Sequence, residues 1–159
     1  MYVNGRKSSL RTRNWNIFQF YSRRRQTLNT KVFYELWQME CCGKPFKIGD
    51  SIEWYVFSAD ELIRSFDIDG LEYAYDAHFD EWEGIYTLKG VVNKISVYYE
   101  KYETITAPGH DHNMLKPIPG TSETIAIISS EDVETHRGEL LASGYIVDLD
   151  DVTVRPAKQ

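Results

Sequence analysis

The sequence predicts a mostly β chain: a small curled sheet or barrel, SH3-like or OB-like, with one or two short helices. Three observations lead there. Strand-length runs rich in Val, Ile, Thr and aromatic residues recur between Gly- and Pro-containing breaks. No strand-helix-strand alternation runs along the chain, so a parallel α/β sheet is not expected. The length of 159 residues points to one domain.

The first strand-like segment is Val32 to Glu40, where Phe33, Glu35, Trp37 and Met39 fall on alternate positions. Gly43 and Pro45 stop it, and Gly49-Asp50 reads as a tight turn. Ser51 to Phe57 is a second strand, with Ile52, Trp54 and Val56 on one face. Ser58 then caps a helix start with Asp60 and Glu61 in its first turn. Leu62, Ile63 and Phe66 make its apolar side, so two turns are expected before Asp67 to Gly70. Residues 71 to 83 alternate partly and are acidic: a strand or an irregular excursion.

Gly84 to Ile105 carries the strongest β signal. It exceeds an ordinary strand, so either two strands or one bent strand is expected, broken at Gly90 or Asn93-Lys94. The proline-rich stretch 107 to 121 reads as a long loop, Glu123 to Ser129 as a strand, and Glu131 to Ala142 as a short helix or loop. Gly144 to Val154 is a last strand, or a hairpin turning near Asp150-Asp151. The expected core is Ile52, Trp54, Val56, Leu88, Val92, Ile95, Val97, Ile125, Ile127, Ile146 and Leu149.

Charge divides the chain. Residues 1–31 hold eight bases and no acid, and the remainder carries -14. Residues 1–31 are therefore read as a basic extended arm, with three readings: a segment that is no part of the native folded protein, a targeting segment, since transit peptides are Arg- and Ser-rich and acid-poor, or an arm that binds nucleic acid through its phosphates. Residues 32–155 form the single β-rich domain and 156–159 a frayed tail. No apolar run approaches the roughly 18 to 20 residues that cross a bilayer, so no membrane partner and a cytoplasmic location are expected. Two adjacent cysteines make no disulfide framework.

The segment Trp37 to Trp54, W-Q-M-E-C-C-G-K-P-F-K-I-G-D-S-I-E-W, resembles the opening of a family of small bacterial proteins. They carry a Trp followed by C-C-G-x-P-F-x-x-G-D-x-V-x-W near the amino terminus. Tyr75-Asp76-Ala77-His78 and Gly144-Tyr145-Ile146-Val147 extend the resemblance over roughly residues 34 to 150. It implies a domain of unknown function with no assigned activity. It also implies that the Cys-Cys segment lies close to the first residue, whereas a basic stretch precedes it here.

Chemistry-bearing residues are few. Cys41 and Cys42 with His110 and His112 offer a Cys2His2 donor set for zinc, yet neither C-C nor H-x-H matches a zinc spacing. In a strand the two thiols point to opposite sides. The expectation is one cysteine in the core, one near the surface, and no cofactor. Trp37, Trp54 and Trp82 are candidates for an aromatic cleft, against the ordinary alternative that such residues are core. Catalytic residues are not indicated: G-x-S-x-G, glycine-rich phosphate loops, H-E-x-x-H and C-x-x-C are all lacking.

Residues 60–83 hold nine acids against Arg64, and Asp76, Asp80, Glu81 and Glu83 form the binding band. The sequence thus points to a small acidic binding protein with a basic macromolecular partner. The rivals are a metal-binding or hydrolytic protein using Cys41 and Cys42 with His78, His110 and His112, and nucleic-acid binding through the arm.

Overall fold

The computed structural model describes residues 29–106, 108–109 and 112–158. Eight strands occupy this span: β1 (Thr30–Glu35), β2 (Ser51–Ser58), β3 (Leu71–Tyr75), β4 (Tyr86–Thr106), β5 (Asn113–Pro117), β6 (Glu123–Ile127), β7 (His136–Arg137) and β8 (Leu140–Pro156). One helix, α1 (Leu36–Cys42), follows β1 directly. Two single 3-10 turns, Ala59–Glu61 and Ser130–Asp132, complete the elements.

The sheet runs β5-β4-β2-β3-β1-β8-β7, and β4 also pairs with β8. Five strands therefore close a ring, β1-β3-β2-β4-β8, with β1 and β3 its one parallel pair. Closure removes the edges of those strands. The mostly β chain expected from the residues, a curled sheet or barrel with one or two short helices, is observed as an eight-stranded sheet that partly closes into a ring.

Strand alternation sorts side chains between the inside of the ring and its outer face. Val32 and Tyr34 of β1, Ile95, Val97 and Tyr99 of β4, and Tyr145, Val147 and Leu149 of β8 fill the interior with Val56 and Leu88. Phe33, Tyr98 and Ile146 alternate to the outside, where Phe66, Ile68 and Leu71 cover them. The segment 62–70 is thus a strap across the outer face. Phe46 plugs the interior from the loop after α1, its N–H donating to Ser130 Oγ at 3.0 Å.

Bulges explain the long strands. β4 spans 21 residues because its pairing with β8 shifts register between Lys89 and Val91, Val92 and Lys94, and Tyr98 and Tyr99. Each shift adds twist and lets one strand bend around the ring. Gly90 sits at the first, where a Cβ would lie 3.2 Å from the Asp150 carbonyl oxygen. Opposite it, Asp151 has φ 52°: a bulge inside continuous β8, not a hairpin turn at Asp150-Asp151. At the crossing of β1 and β8, a Cβ on Gly144 would come within 2.5 Å of the Tyr34 carbonyl oxygen.

Other expectations need correction. Strand β1 ends at Glu35, and the second half of Val32 to Glu40 is helical. The two-turn helix after Ser58 is one 3-10 turn, still capped by Ser58 Oγ on the Asp60 N–H, before the chain extends into the strap. The loop 107 to 121 contains β5. Thr30 and Lys31 belong to β1, paired with Leu149 and Asp148, and Pro156 ends β8 while the Ala157 N–H donates to Ile85 at 2.9 Å. The basic arm up to residue 28 lies outside the described residues. Among the described residues, no helix is long and apolar enough to cross a membrane.

Candidate metal centre and the groove beside it

The site is built on α1. Seven residues make about two turns, and Glu35 at the N-cap gives the helix no side-chain capping hydrogen bond. What holds the helix is tertiary: Leu36 and Met39 pack on the barrel core, and Gln38 is buried against the loop after β3. Gln38 Nε2 donates to the Tyr75 carbonyl at 2.9 Å, and its Oε1 accepts from the Ala77 N–H at 3.2 Å. Two hydrogen bonds from one buried amide fix α1 to the segment that carries His78. The His78 N–H in turn donates to Asp76 Oδ1 at 2.7 Å, which shapes that loop.

This clamp brings three donor side chains together. Cys42 Sγ lies 3.2 Å from His78 Nε2, Cys41 Sγ lies 3.7 Å from it, and the two sulfurs are 2.7 Å apart. All three ligand atoms fall within 4.8 Å of one another and all three residues are exposed. Each sulfur also lies 3.6 Å from the Gln38 carbonyl oxygen, which accepts from a thiol not engaged with its neighbour. The hydrogen bond shared with Cys41 favours the protonated form and raises the Cys42 thiol above its ordinary range, and desolvation and the charge of Cys41 add to it. The Trp37 ring lies against His78, centroids 5.4 Å apart.

Neither cysteine is in the core, contrary to expectation, because the chain is helical where a strand was read. Adjacent strand residues face opposite ways. At the end of a helix they project 100° apart and can meet a third group. His78, not the loop histidines, is the residue beside them. His112 is exposed at the start of the β5 hairpin and outside this cluster, and His110 lies outside the described residues.

A groove opens next to the cluster. One cavity of about 350 Å3 is lined by Trp37, Phe57, Leu62, Phe66, Tyr75 and His78, with the carboxylates of Glu35, Glu61 and Asp76 and with Arg64. A second, of about 390 Å3, continues past Trp37, Arg64 and Phe66 to Tyr102 and Ser143. Among the described residues Arg64 is the only Lys or Arg in either lining, and it is already engaged. Its guanidinium pairs with Glu100, donates to Tyr102 Oη at 3.3 Å and lies 4.3 Å from the Phe66 ring centre. Glu100 is 7% exposed and also accepts from Ser143 Oγ at 3.1 Å. Burial works against the Arg64 charge, but Tyr102 and Glu100 outweigh it and raise its pKa.

The three candidate tryptophans do not form one cleft. Trp37 is 51% exposed on the groove. Trp54 alternates inward and packs edge-on against Tyr34, Phe46 and Tyr75 of the barrel interior. Trp82 packs with Phe79 and Tyr55 on the outer side of β2. Of the acidic band, Asp80, Glu81 and Glu83 are exposed and Asp76 is half-buried at the cavity. Arg64, Glu100 and Gln38 escaped the sequence reading, since a lone Arg in an acidic run, a Glu in a strand and a Gln in a helix carry no local signal.

No curated protein matches this chain, and neither does any solved structure. A family model does match, over residues 28–151, from the start of β1 through the bulge of β8, and so takes in β1 to β7, most of β8, the cysteine pair and His78. The chain belongs to the family of unknown function DUF6578.

Proposed function

We propose that this domain is a non-enzymatic binding module for a basic macromolecular partner, presented by the face that joins the acidic band to the Trp37 groove. One observation carries the reading. The nine acids of residues 60–83 make no ion pair among the described residues, and the one base among them, Arg64, is taken by Glu100. An uncompensated acidic surface steers cationic partners toward it and repels nucleic acid. The cavity adds a specific seat: an apolar, aromatic wall with three carboxylates, its one arginine held by Glu100, suits the stem and head of a Lys or Arg side chain.

The hydrolytic alternative has one supporting distance, Cys42 Sγ to His78 Nε2, which is nucleophile-to-base geometry. The raised Cys42 thiol works against it, because the thiolate is the nucleophile.

The test is binding of a fluorescent lysine-rich peptide to the full chain at low and high salt. Affinity is expected to fall steeply with salt and to be lost when Asp76, Asp80 and Glu81 are changed to Lys. Trp37→Ala is expected to weaken binding without changing the salt slope. Peptide binding unaffected by the three charge reversals overturns the reading. A preference of the full chain for RNA or DNA would move the function to the arm.

A further inference from the structure

We propose that Cys41, Cys42 and His78 form a binding site for a thiophilic divalent cation of the zinc class, with the fourth coordination position open to solvent beside Trp37. This goes beyond the binding-module reading and does not depend on it. Two thiolates neutralise a divalent ion, so a loaded site leaves the acidic field of residues 60–83 as it was.

The donor set is the first support. Two sulfurs and one imidazole are soft to borderline ligands that favour zinc, cadmium or cobalt over magnesium or calcium, which take oxygen. Three protein ligands with one open position is also a known zinc arrangement. The geometry is the second. At metal–sulfur distances of about 2.3 Å and metal–nitrogen distances of about 2.0 Å, a tetrahedral site puts sulfur and nitrogen about 3.5 Å apart and the two sulfurs about 3.8 Å apart. The observed sulfur-to-nitrogen distances of 3.2 and 3.7 Å bracket the first value. The sulfurs, at 2.7 Å, must spread by roughly 1 Å, a side-chain rotation that exposed thiols make without disturbing packing.

The third support is the scaffold. The ligands come from two elements 36 residues apart, and buried Gln38 ties those elements together through the Tyr75 carbonyl and the Ala77 N–H. The donors are therefore held near one another before any ion arrives, which lowers the ordering cost of binding. Loading is simple acid–base chemistry. Each thiol gives its proton to solvent, each sulfur donates a lone pair to the cation, and neutral His78 donates through Nε2. Two protons leave per ion bound, and nothing is oxidised.

The experiment titrates Co2+ alone into the reduced, chelator-stripped full chain. One equivalent is expected to produce thiolate-to-cobalt charge-transfer absorption and the intense visible bands of four-coordinate cobalt. Cys41→Ser and Cys42→Ser should each weaken binding by at least about tenfold and halve the charge-transfer intensity. His78→Ala should weaken it as much while keeping that intensity per bound ion. Gln38→Ala, a positioning change, should weaken binding by about tenfold with the full spectrum retained. His112→Ala should change nothing. Absence of charge transfer overturns the site, and so does loss of binding in His112→Ala with His78→Ala unaffected. If a ligand variant fails to fold, the unaltered chain still decides. Zinc must slow alkylation of both thiols, and an unchanged rate overturns the proposal.

Discussion

Tyr34 and Tyr145 put two phenols where a hydrocarbon core would serve, and each is 1% exposed. Tyr145 is tolerated because its hydroxyl donates to the Ser130 carbonyl at 3.0 Å. Burial pushes the Tyr145 phenol up to about 12 and Tyr34 higher still. Both keep their protons in the folded chain past pH 10, the ordinary tyrosine value, where the unfolded chain loses them. Their contribution to stability is therefore whole below about pH 10 and is lost progressively above it, for Tyr145 as pH rises to about 12 and for Tyr34 over a still higher range. Urea midpoints are expected to hold steady from pH 8 to about 9.5 and then fall, with a late fraction of the tyrosine ionisation signal appearing only on unfolding. At this scale much was readable beforehand: Ser58 as a cap, Gly49 in a turn with φ 92°, Gly90 at a bend. Each announces itself through its own backbone. Gln38 and Glu100 do not, because their importance lies in what the fold brings to them.

The strap and α1 are the elements that local pattern misjudged, and for related reasons. Phe33, Glu35, Trp37 and Met39 alternate like strand residues, and α1 has neither acids in its first turn nor bases in its last to mark it. Its helicity comes from burial of Gln38 and from Leu36 and Met39 on the core, a tertiary gain that overrides weak propensity. After Ser58 the error is the reverse. A helix would have buried Leu62, Ile63 and Phe66 on one face, but Ile63 is fully exposed, and the extended strap instead sets Phe66 on Phe33 with ring centres 4.1 Å apart. Extension also lets Arg64 reach Glu100. Phe66→Ala is expected to cost about 2–3 kcal/mol and, more tellingly, to speed amide exchange through residues 62–71 while the ring strands stay protected. Equal loss of protection in strap and ring would mean that the two unfold as one unit.

Across the whole molecule, the alternating faces of β2, β4 and β8 were legible, and they define the interior. Val56, Leu88, Val92, Ile95, Val97 and Leu149 lie there fully buried, and Ile52, Trp54, Ile125 and Ile127 pack on them. Ile146 is buried too, but on the outer face beneath the strap. Which strands meet was not legible. β1 pairs with β8 across more than a hundred residues, and no short-range signal specifies that pairing. The candidate metal centre is hidden by the same gap, since Cys42 and His78 become neighbours only once β3 lies beside β1. Ring closure has a further consequence for colloidal behaviour. Strand β5 hangs on the outside of β4, paired on one side alone among the described residues, and shows Met114 and Leu115 at 53% and 62% exposure. A strand of that kind is a template for recruiting other chains. Lys116 and Pro117 end it with a charge and with a residue that has no N–H to offer, so they act as gatekeepers against fibril-like growth. Replacing both with Val is expected to leave the chain folded and to raise light scattering on concentration, which would mark β5 as the place where the chain holds off its own copies.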